Sequence, residues 1–105
     1  MFDVKAIQKM QNELHERITK AQDELATKTV EASSGGGMVT ATVSGAQEVT
    51  ALKFKPEAID PDDLEMLEDL VIAAVNAGLA KAKEMRETEL GRVTGGMNLN
   101  IPGLM

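Results

Sequence analysis

The segment from residue 60 to residue 80 limits the possible folds of this chain more than any other segment. It opens with Asp60, the expected N-cap of a helix, and Pro61, which suits the first helical position. Its second half, residues 70–80, is apolar at every position except Asn76. A helix that is apolar all round must be covered all round. One small sheet covers only one side, so we expect the other side to meet a second copy of the chain or another protein.

Length and composition favour a single, non-secreted domain. The chain has 105 residues, and we expect one domain over residues 1–94 and a mobile Gly-, Asn- and Pro-containing tail over residues 95–105. The apolar run is far shorter than the roughly 20 residues that span a bilayer, so no membrane partner is expected. The chain contains no Cys and begins without the features of a signal peptide, which predicts a cytoplasmic protein without a disulfide scaffold or thiolate site.

Residues 3–26 have the period of an amphipathic helix. Apolar residues recur at spacings of three and four, with Gln11 at the one polar place of the heptad pattern: Val4, Ile7, Leu14, Ile18, Ala21 and Leu25. The opposite face carries charges of both signs. Lys5 and Lys9 lie at its open end, where only Asp3 is near them in sequence.

The middle of the chain predicts three strands, over residues 27–33, 38–44 and 48–55, in an antiparallel meander. The second strand alternates cleanly, with Val39, Ala41 and Val43 facing the core, and the third strand places Leu52 and Phe54 inward. Gly45 stands first in a two-residue loop, as a type II′ turn requires. The last helix should then run from Asp60 to about Leu90 and end near Gly91 or at Gly95-Gly96. The fold class is therefore α+β, in the order α-β-β-β-α.

Charge is segregated along the chain. The formal net charge is −6, yet one segment without any base holds an acidic belt of seven residues: Glu57, Asp60, Asp62, Asp63, Glu65, Glu68 and Asp69. The belt accounts for −7, which leaves +1 for the rest of the chain. An anionic partner is therefore compatible with the sequence, provided that it meets the residues outside the belt.

Motifs that suggest chemistry have simpler structural interpretations. The glycines at 35–37 resemble a phosphate loop, but no Gly-Lys-Ser/Thr follows, and a hairpin turn explains them. The acids at 60–63 resemble the start of a Ca²⁺ loop, but Glu65 occupies the place of the required Gly, and helix capping explains them better. His15 is the only His and has no partner that would make it a general base. We therefore expect no enzyme, no metal, no cofactor and no small-molecule substrate.

Two basic clusters remain as candidate sites. One is the pair Lys5 and Lys9, and the other lies on the last helix: Lys81, Lys83, Arg86 and Arg92. On charge alone, both clusters fit ordinary solvated helix faces or sites for phosphate. The absence of Trp and Tyr argues against a single-strand binder, because such proteins stack bases on exposed aromatic side chains.

The order of these features resembles the YbaB/EbfC family of bacterial nucleoid-associated proteins. The matching segments are Gly-Gly-Met-Val-Thr-Ala-Thr-Val-Ser-Gly at 36–45, the run from Ile59 to Ala77, Thr-Gly-Gly-Met at 94–97 and Pro-Gly at 102–103. The resemblance covers essentially the whole chain. It implies a tweezers-like α-β-β-β-α homodimer that binds double-stranded DNA and alters its conformation, with roles in nucleoid organisation and gene regulation.

The resemblance supplies no short motif for DNA contact, so the candidate residues come from charge: Lys5, Lys9, Lys81, Lys83 and Arg86. The candidate dimer interface comes from the apolar run: Leu70, Val71, Ala74, Val75 and Leu79. An alternative function is a protein-interaction module. In that case the stripe of the first helix, or the tail with Leu99, Ile101 and Leu104, would dock a partner protein.

Overall fold

The computed structural model describes residues 3–94 and confirms the order α-β-β-β-α. The elements are α1 (Val4–Thr27), β1 (Thr29–Ser34), β2 (Val39–Ser44), β3 (Val49–Phe54), a 3₁₀ turn (Pro56–Ala58) and α2 (Leu64–Thr94). The three strands form one antiparallel sheet in the order β1-β2-β3. The predicted tail, residues 95–105, lies outside the described residues.

The core lies between the central strand and α2. Val39, Ala41 and Val43 of β2 are fully buried, as their alternation predicted. The side of α2 that meets them consists of small residues four apart, Ala74, Gly78 and Ala82, all buried. A Cβ atom at Gly78 would lie only 2.7 Å from Cγ2 of Val43. The small side chains therefore let helix and sheet approach closely.

The third strand is less covered than its sequence predicted. Leu52 and Phe54 pair with Ala41 and Val39, so they point to the sheet face on which α2 lies. However, α2 packs across β1 and β2 and makes few contacts with β3. Leu52 remains 38% exposed and Phe54 41% exposed. The two side chains thus point inward as predicted, but this part of the sheet face stays uncovered, because the helix stops short of the third strand.

The start of α2 lies later than predicted. Asp60 is not its N-cap: the Asp60 carboxylate accepts a hydrogen bond from the N–H of Asp62 at 2.9 Å, within a separate turn. The cap is Asp63, whose carboxylate accepts from the N–H of Met66 at 3.1 Å. Both aspartates suit a cap, and the one adjoining the continuous helix fills the role. At its other end α2 passes Gly91 and continues to Thr94, directly before Gly95-Gly96.

The turn between β2 and β3 is not the predicted type II′ turn. Its left-handed residue is Gln47, at φ 63°, and not Gly45. The N–H of Gln47 donates to the carbonyl of Ser44 at 2.8 Å, and the N–H of Ser44 donates to the carbonyl of Glu48 at 2.9 Å. This is a three-residue hairpin loop with a left-handed third residue. Gly45 serves a different purpose, a close approach to α1.

Only the end of α1 joins the body of the protein. Ala21 and Leu25 are buried against the remainder of the chain. Farther towards the N-terminus Val4, Ile7 and Met10 are 63%, 41% and 60% exposed. The molecule is accordingly long and thin, with extents of 74 × 25 × 16 Å. The N-terminal part of α1 is a projecting arm, which we define as residues 4–18.

Candidate nucleic-acid interface

The arm presents Lys5 and Lys9 to solvent. The two residues are four apart, so they lie on one face of α1, opposite the apolar stripe. Asp3 caps the helix: its carboxylate accepts hydrogen bonds from the N–H groups of Lys5 and Ala6 at 3.1 and 3.4 Å. Glu13 lies one turn after Lys9. Within residues 3–94, neither lysine ammonium forms an ion pair with a carboxylate. Both charges are therefore available to an anion.

The candidate residues on α2 lie on two flanks of the helix, with Lys83 and Arg86 on one flank and Lys81 on the other. Lys83 and Arg86 are three apart and lie side by side. Lys81 lies across the helix from Lys83, since two residues correspond to about 200° of rotation. Its ammonium donates a hydrogen bond to the carbonyl of Glu31 in β1 at 2.9 Å. Lys81 therefore helps to join α2 to the edge of the sheet.

A third basic group lies where α1 ends. Lys28 Nζ and Arg92 Nη1 both contact Oε1 of Glu89, at 3.1 and 3.6 Å. Arg92 belonged to the cluster predicted from sequence, whereas Lys28 did not, because it comes from a segment 61 residues away from Glu89. At this junction, one carboxylate is thus shared by two cations.

Within one chain, the lysine pair on the arm is far from the basic residues around Arg86 and Lys28. Lys28 contacts Glu89 of α2, and Glu89 lies within one helical turn of Arg86. Lys9 lies 19 residues before Lys28 on a continuous helix, which corresponds to about 30 Å at 1.5 Å per residue. One turn of a DNA duplex measures about 34 Å, so phosphates return to the same side of the duplex at a similar spacing. One chain therefore offers two basic contact points rather than one patch.

The acidic belt lies at the other end of the molecule. The hydroxyl of Ser34, at the end of β1, donates to the carbonyl of Leu70 at 2.6 Å, which places the start of α2 beside the Gly35–Gly37 turn. This turn is at the opposite end of the sheet from Lys28 and the base of α1. Belt and arm therefore occupy opposite ends of the long axis, and the repulsion between the belt and an anion at the arm is weakened by distance and salt.

An apolar surface lies beside β3, where α2 leaves the sheet uncovered. Four apolar side chains and Glu68 line a groove of about 470 Å³: Phe54, Leu67, Val71 and Ile72. We call these four residues together with Leu52 the β3–α2 surface. Ile72 is the most exposed of these five residues, at 57%. Phe54 and Leu52 could not be recognised as surface residues from the sequence, because their exposure depends on where α2 crosses the sheet.

The residues predicted for the dimer interface fall into three places. Val71, Val75 and Leu79 are half-buried and lie on the flank of α2 that continues the β3–α2 surface. Leu70 lies on the other flank, where its side chain is close to Gly35. Ala74 is fully buried inside the protomer. One side of the apolar run therefore packs against the sheet, and another side is only partly covered within the protomer.

The described residues contain little else that suggests chemistry. Within residues 3–94, no group of three His, Asp or Glu side chains is arranged to hold a metal ion. Across the same residues, neither helix is long and apolar enough to cross a membrane.

A family comparison agrees with the resemblance found in the sequence. The sequence model of the YbaB/EbfC DNA-binding family matches residues 1–97. The chain belongs to the YbaB/EbfC DNA-binding family. The family is defined by DNA binding, which agrees with the two basic groups described above.

Two bacterial relatives match the chain along most of its length. A nucleoid-associated protein of Syntrophobacter fumaroxidans is 52% identical over 94 residues, which are 87% of this chain and 86% of that protein. A nucleoid-associated protein of Alkaliphilus metalliredigens is 52% identical over 101 residues, 96% of this chain and 83% of that protein. Both relatives are named as nucleoid-associated proteins.

A solved structure has the same fold. It is an uncharacterized protein, HP0035, from Helicobacter pylori, and it matches with a TM-score of 0.74 over 84% of this chain and 92% of that chain. Its sequence identity is 19%, so the likeness concerns the fold alone. The helix, meander and long helix of this chain are thus found in a solved structure as well.

Proposed function

We propose that this YbaB/EbfC family member is a homodimer that binds double-stranded DNA and alters its conformation in the cytoplasm, contributing to nucleoid organisation and gene regulation. The observation that carries the proposal is the projecting arm. Among residues 3–94, Lys5 and Lys9 on the arm form no ion pair, and they lie at the end of the molecule opposite the acidic belt. A DNA-binding family and a positive arm that reaches away from the body support the same function.

The contacts that we propose are with phosphate. The side chains proposed to make them are Lys5 and Lys9 on the arm and Lys83 and Arg86 on α2, none of which forms an ion pair within the described part of the chain. Lys81 is a weaker candidate, since it must leave the carbonyl of Glu31 to reach DNA. Contacts to phosphate position a protein on a duplex but do not read its bases. Sequence preference should therefore be weak, or come from the shape and deformability of the duplex.

Binding must overcome an overall negative charge. The chain carries −6, so the whole molecule repels DNA at long range. At physiological salt, however, charges separated by more than about 8 Å are largely screened. The local charge of the arm then outweighs that of the distant belt. We expect modest affinity and a clear dependence on salt.

The dimer in this proposal uses the β3–α2 surface. Within residues 3–94, β3 pairs only with β2, so its outer edge offers unpaired backbone groups beside exposed Leu52 and Phe54. A second copy placed there by a two-fold axis would cover the groove and the open flank with Val71, Val75 and Leu79. The same axis doubles each basic group, so four contact regions act on one DNA. Because four regions on one dimer would contact one duplex, we propose that binding constrains the path of that duplex.

Two measurements on the purified protein test this function. Electrophoretic mobility of a duplex should decrease on adding protein at low salt, and the decrease should weaken at higher salt. The distance between dyes at the two duplex ends, measured by energy transfer, should change on binding. A protein that is dimeric by sedimentation but leaves the duplex unshifted at low salt would contradict the DNA-binding proposal and favour the protein-interaction module.

A further inference from the structure

The apolar stripe of α1 is a heptad seam that α2 covers only in part. With Val4 at position a, the seam runs through the a and d positions to the end of the helix. Its C-terminal members, Ala21 and Leu25, are buried. Leu14 is half-buried, and the members before it are exposed. We call residues 4, 7, 11 and 14 the open seam.

We infer that the open seam pairs, in antiparallel orientation, with the open seam of a second copy of this chain. A repeat of 3.5 residues is the geometry that fits another helix through knobs-into-holes packing. In antiparallel coiled coils an a residue meets a d residue. Centred on residue 9, the pairing places Val4 against Leu14 of the second copy and Ile7 against Gln11 of the second copy.

Charge favours the antiparallel orientation and this register. Positions g flank the seam. Met10 and Arg17 occupy two of them, and Asp3, the N-cap, stands directly before the helix at the place of a third; only Oδ1 of its carboxylate accepts the capping hydrogen bonds. In an antiparallel pair, the g positions of the two helices face each other across one side of the seam. Asp3, beside Val4, therefore lies against Arg17 of the second copy, which flanks the same layer, and this contact occurs twice by symmetry. On the same side, the two Met10 side chains lie against each other. A parallel pair would place Asp3 against Gln8 and Arg17 against Gln22, without an ion pair. The same seam in a partner of unrelated sequence would lack this match.

The pairing covers neither the lysines on the outer face of the arm nor the β3–α2 surface. Lys5 and Lys9 fall at positions b and f, on the outer face of the pair, so their ammonium groups stay available to phosphate. The β3–α2 surface belongs to the body of the protein and not to the arm. Dimers formed through β3 can therefore associate further through their arms. Two heptads form a weak pair, so association should grow with protein concentration, or when one DNA holds several copies at high local concentration.

Cysteine cross-linking without DNA tests the pairing directly, because the sequence contains no Cys. In the variant Gln8→Cys the two thiols face each other near the two-fold axis of the pair. In the matched variant Lys9→Cys they lie on the outer faces, one residue away. With a short bis-maleimide, we expect Gln8→Cys to form linked pairs at least about tenfold faster than Lys9→Cys, because pairing raises the local thiol concentration. Equal rates would overturn the inference.

A second substitution separates pairing from accidental collision. Adding Ile7→Asp to Gln8→Cys puts charges into the open seam and should bring linking down to the rate of Lys9→Cys. Adding Asn12→Asp, an equal charge at an outer position, should leave linking unchanged. Ile7 is exposed, so circular dichroism should show the same helix content in both. Linking that survives Ile7→Asp would contradict the pairing.

Two further cross-linking experiments identify what covers the open seam. Linking of Gln8→Cys should persist when Ile72→Asp removes the exposed side chain of the β3–α2 surface, since the two surfaces are separate. Linking that appears only in a chain ending at Thr94 would mean that residues 95–105 cover the seam, and would overturn the inference. All samples lack DNA, so neither result depends on the proposed DNA-binding function.

Discussion

Gly45 donates its backbone N–H to the carbonyl oxygen of Leu25, with an N···O distance of 3.0 Å. This bond joins the turn between β2 and β3 to the last turn of α1. The same N–H also lies 2.9 Å from the carbonyl oxygen of Lys28. The turn thereby satisfies carbonyl groups at the helix end and fixes the direction in which the arm leaves the sheet.

Replacing Gly45 by Ala should destabilise the protein. The added Cβ would overlap the carbonyl oxygen of Leu25, so the turn must move away from α1. We expect a loss of about 1–3 kcal/mol in the free energy of unfolding, as for other overpacked sites. Urea denaturation followed by circular dichroism measures it.

Gly91→Ala is the matched control for that substitution. It adds the same methyl group inside α2, where a Cβ meets nothing within 4 Å. Because Ala favours a helix interior over Gly, this variant should gain up to about 1 kcal/mol. Equal stabilities of the two variants would contradict the role assigned to Gly45.

Asp63→Ala should cost about 0.5–2 kcal/mol of unfolding free energy, because it removes the N-cap hydrogen bond to Met66. Asp60→Ala is the comparison, since Asp60 stabilises only the short turn before the helix. Thermal unfolding of both variants ranks the two residues. A larger loss in Asp60→Ala would mean that α2 starts earlier in solution.

The order of elements was predictable from the sequence because each element has a local cause. The heptad stripe of α1, the alternation of β2 and the three glycines at 35–37 depend only on neighbours along the chain. The acidic start of α2 was also visible, but the choice between Asp60 and Asp63 was not. Either residue can cap a helix, and the path of the chain from β3 decides between them.

The features missed from the sequence all depend on contacts between distant segments. The exposure of Phe54 follows from the position of α2 over β1 and β2. The requirement for glycine at residue 45 follows from the approach of α1. Lys81 looked equivalent to Lys83, but only Lys81 reaches the carbonyl of Glu31. Charge patterns along a helix therefore identified candidate phosphate contacts, and packing determined which of them are free.

Ile72→Asp should convert the dimer to a monomer. The side chain is exposed in the protomer, so the fold should survive, but in the proposed dimer the carboxylate would be buried without a partner. Sedimentation velocity at micromolar concentration measures the change. Ala73→Asp adds the same charge one residue away, on the outer side of α2, and should remain dimeric. If both variants sediment like the unsubstituted protein, the second copy does not use the β3–α2 surface.

Reversing the charge of the arm should weaken DNA binding without regard to sequence. The double variant Lys5→Glu with Lys9→Glu removes two phosphate contacts per chain and should lower affinity for every duplex alike. The double variant Lys53→Glu with Lys55→Glu changes the net charge by the same amount on β3, away from the arm. If repulsion by the whole molecule decided binding, both variants would lose the same affinity. We expect a larger loss for the arm variant at equal dimer content.

The salt dependence of binding separates local contact from net charge. A dimer that engages about four to six phosphates should show log K falling against log salt with a slope of about −4 to −5. Each phosphate contact that is lost should make this slope shallower by about 1. The arm variant should therefore change both affinity and slope, and Lys83→Glu with Arg86→Glu should do the same if α2 also contacts DNA. In the β3 variant, the affinity at one salt concentration can fall through repulsion, but the number of released counterions stays close to that of the unsubstituted protein. An unchanged slope in both the arm and the α2 variants would mean that these lysines and the arginine are solvated helix faces, and that other residues bind the duplex.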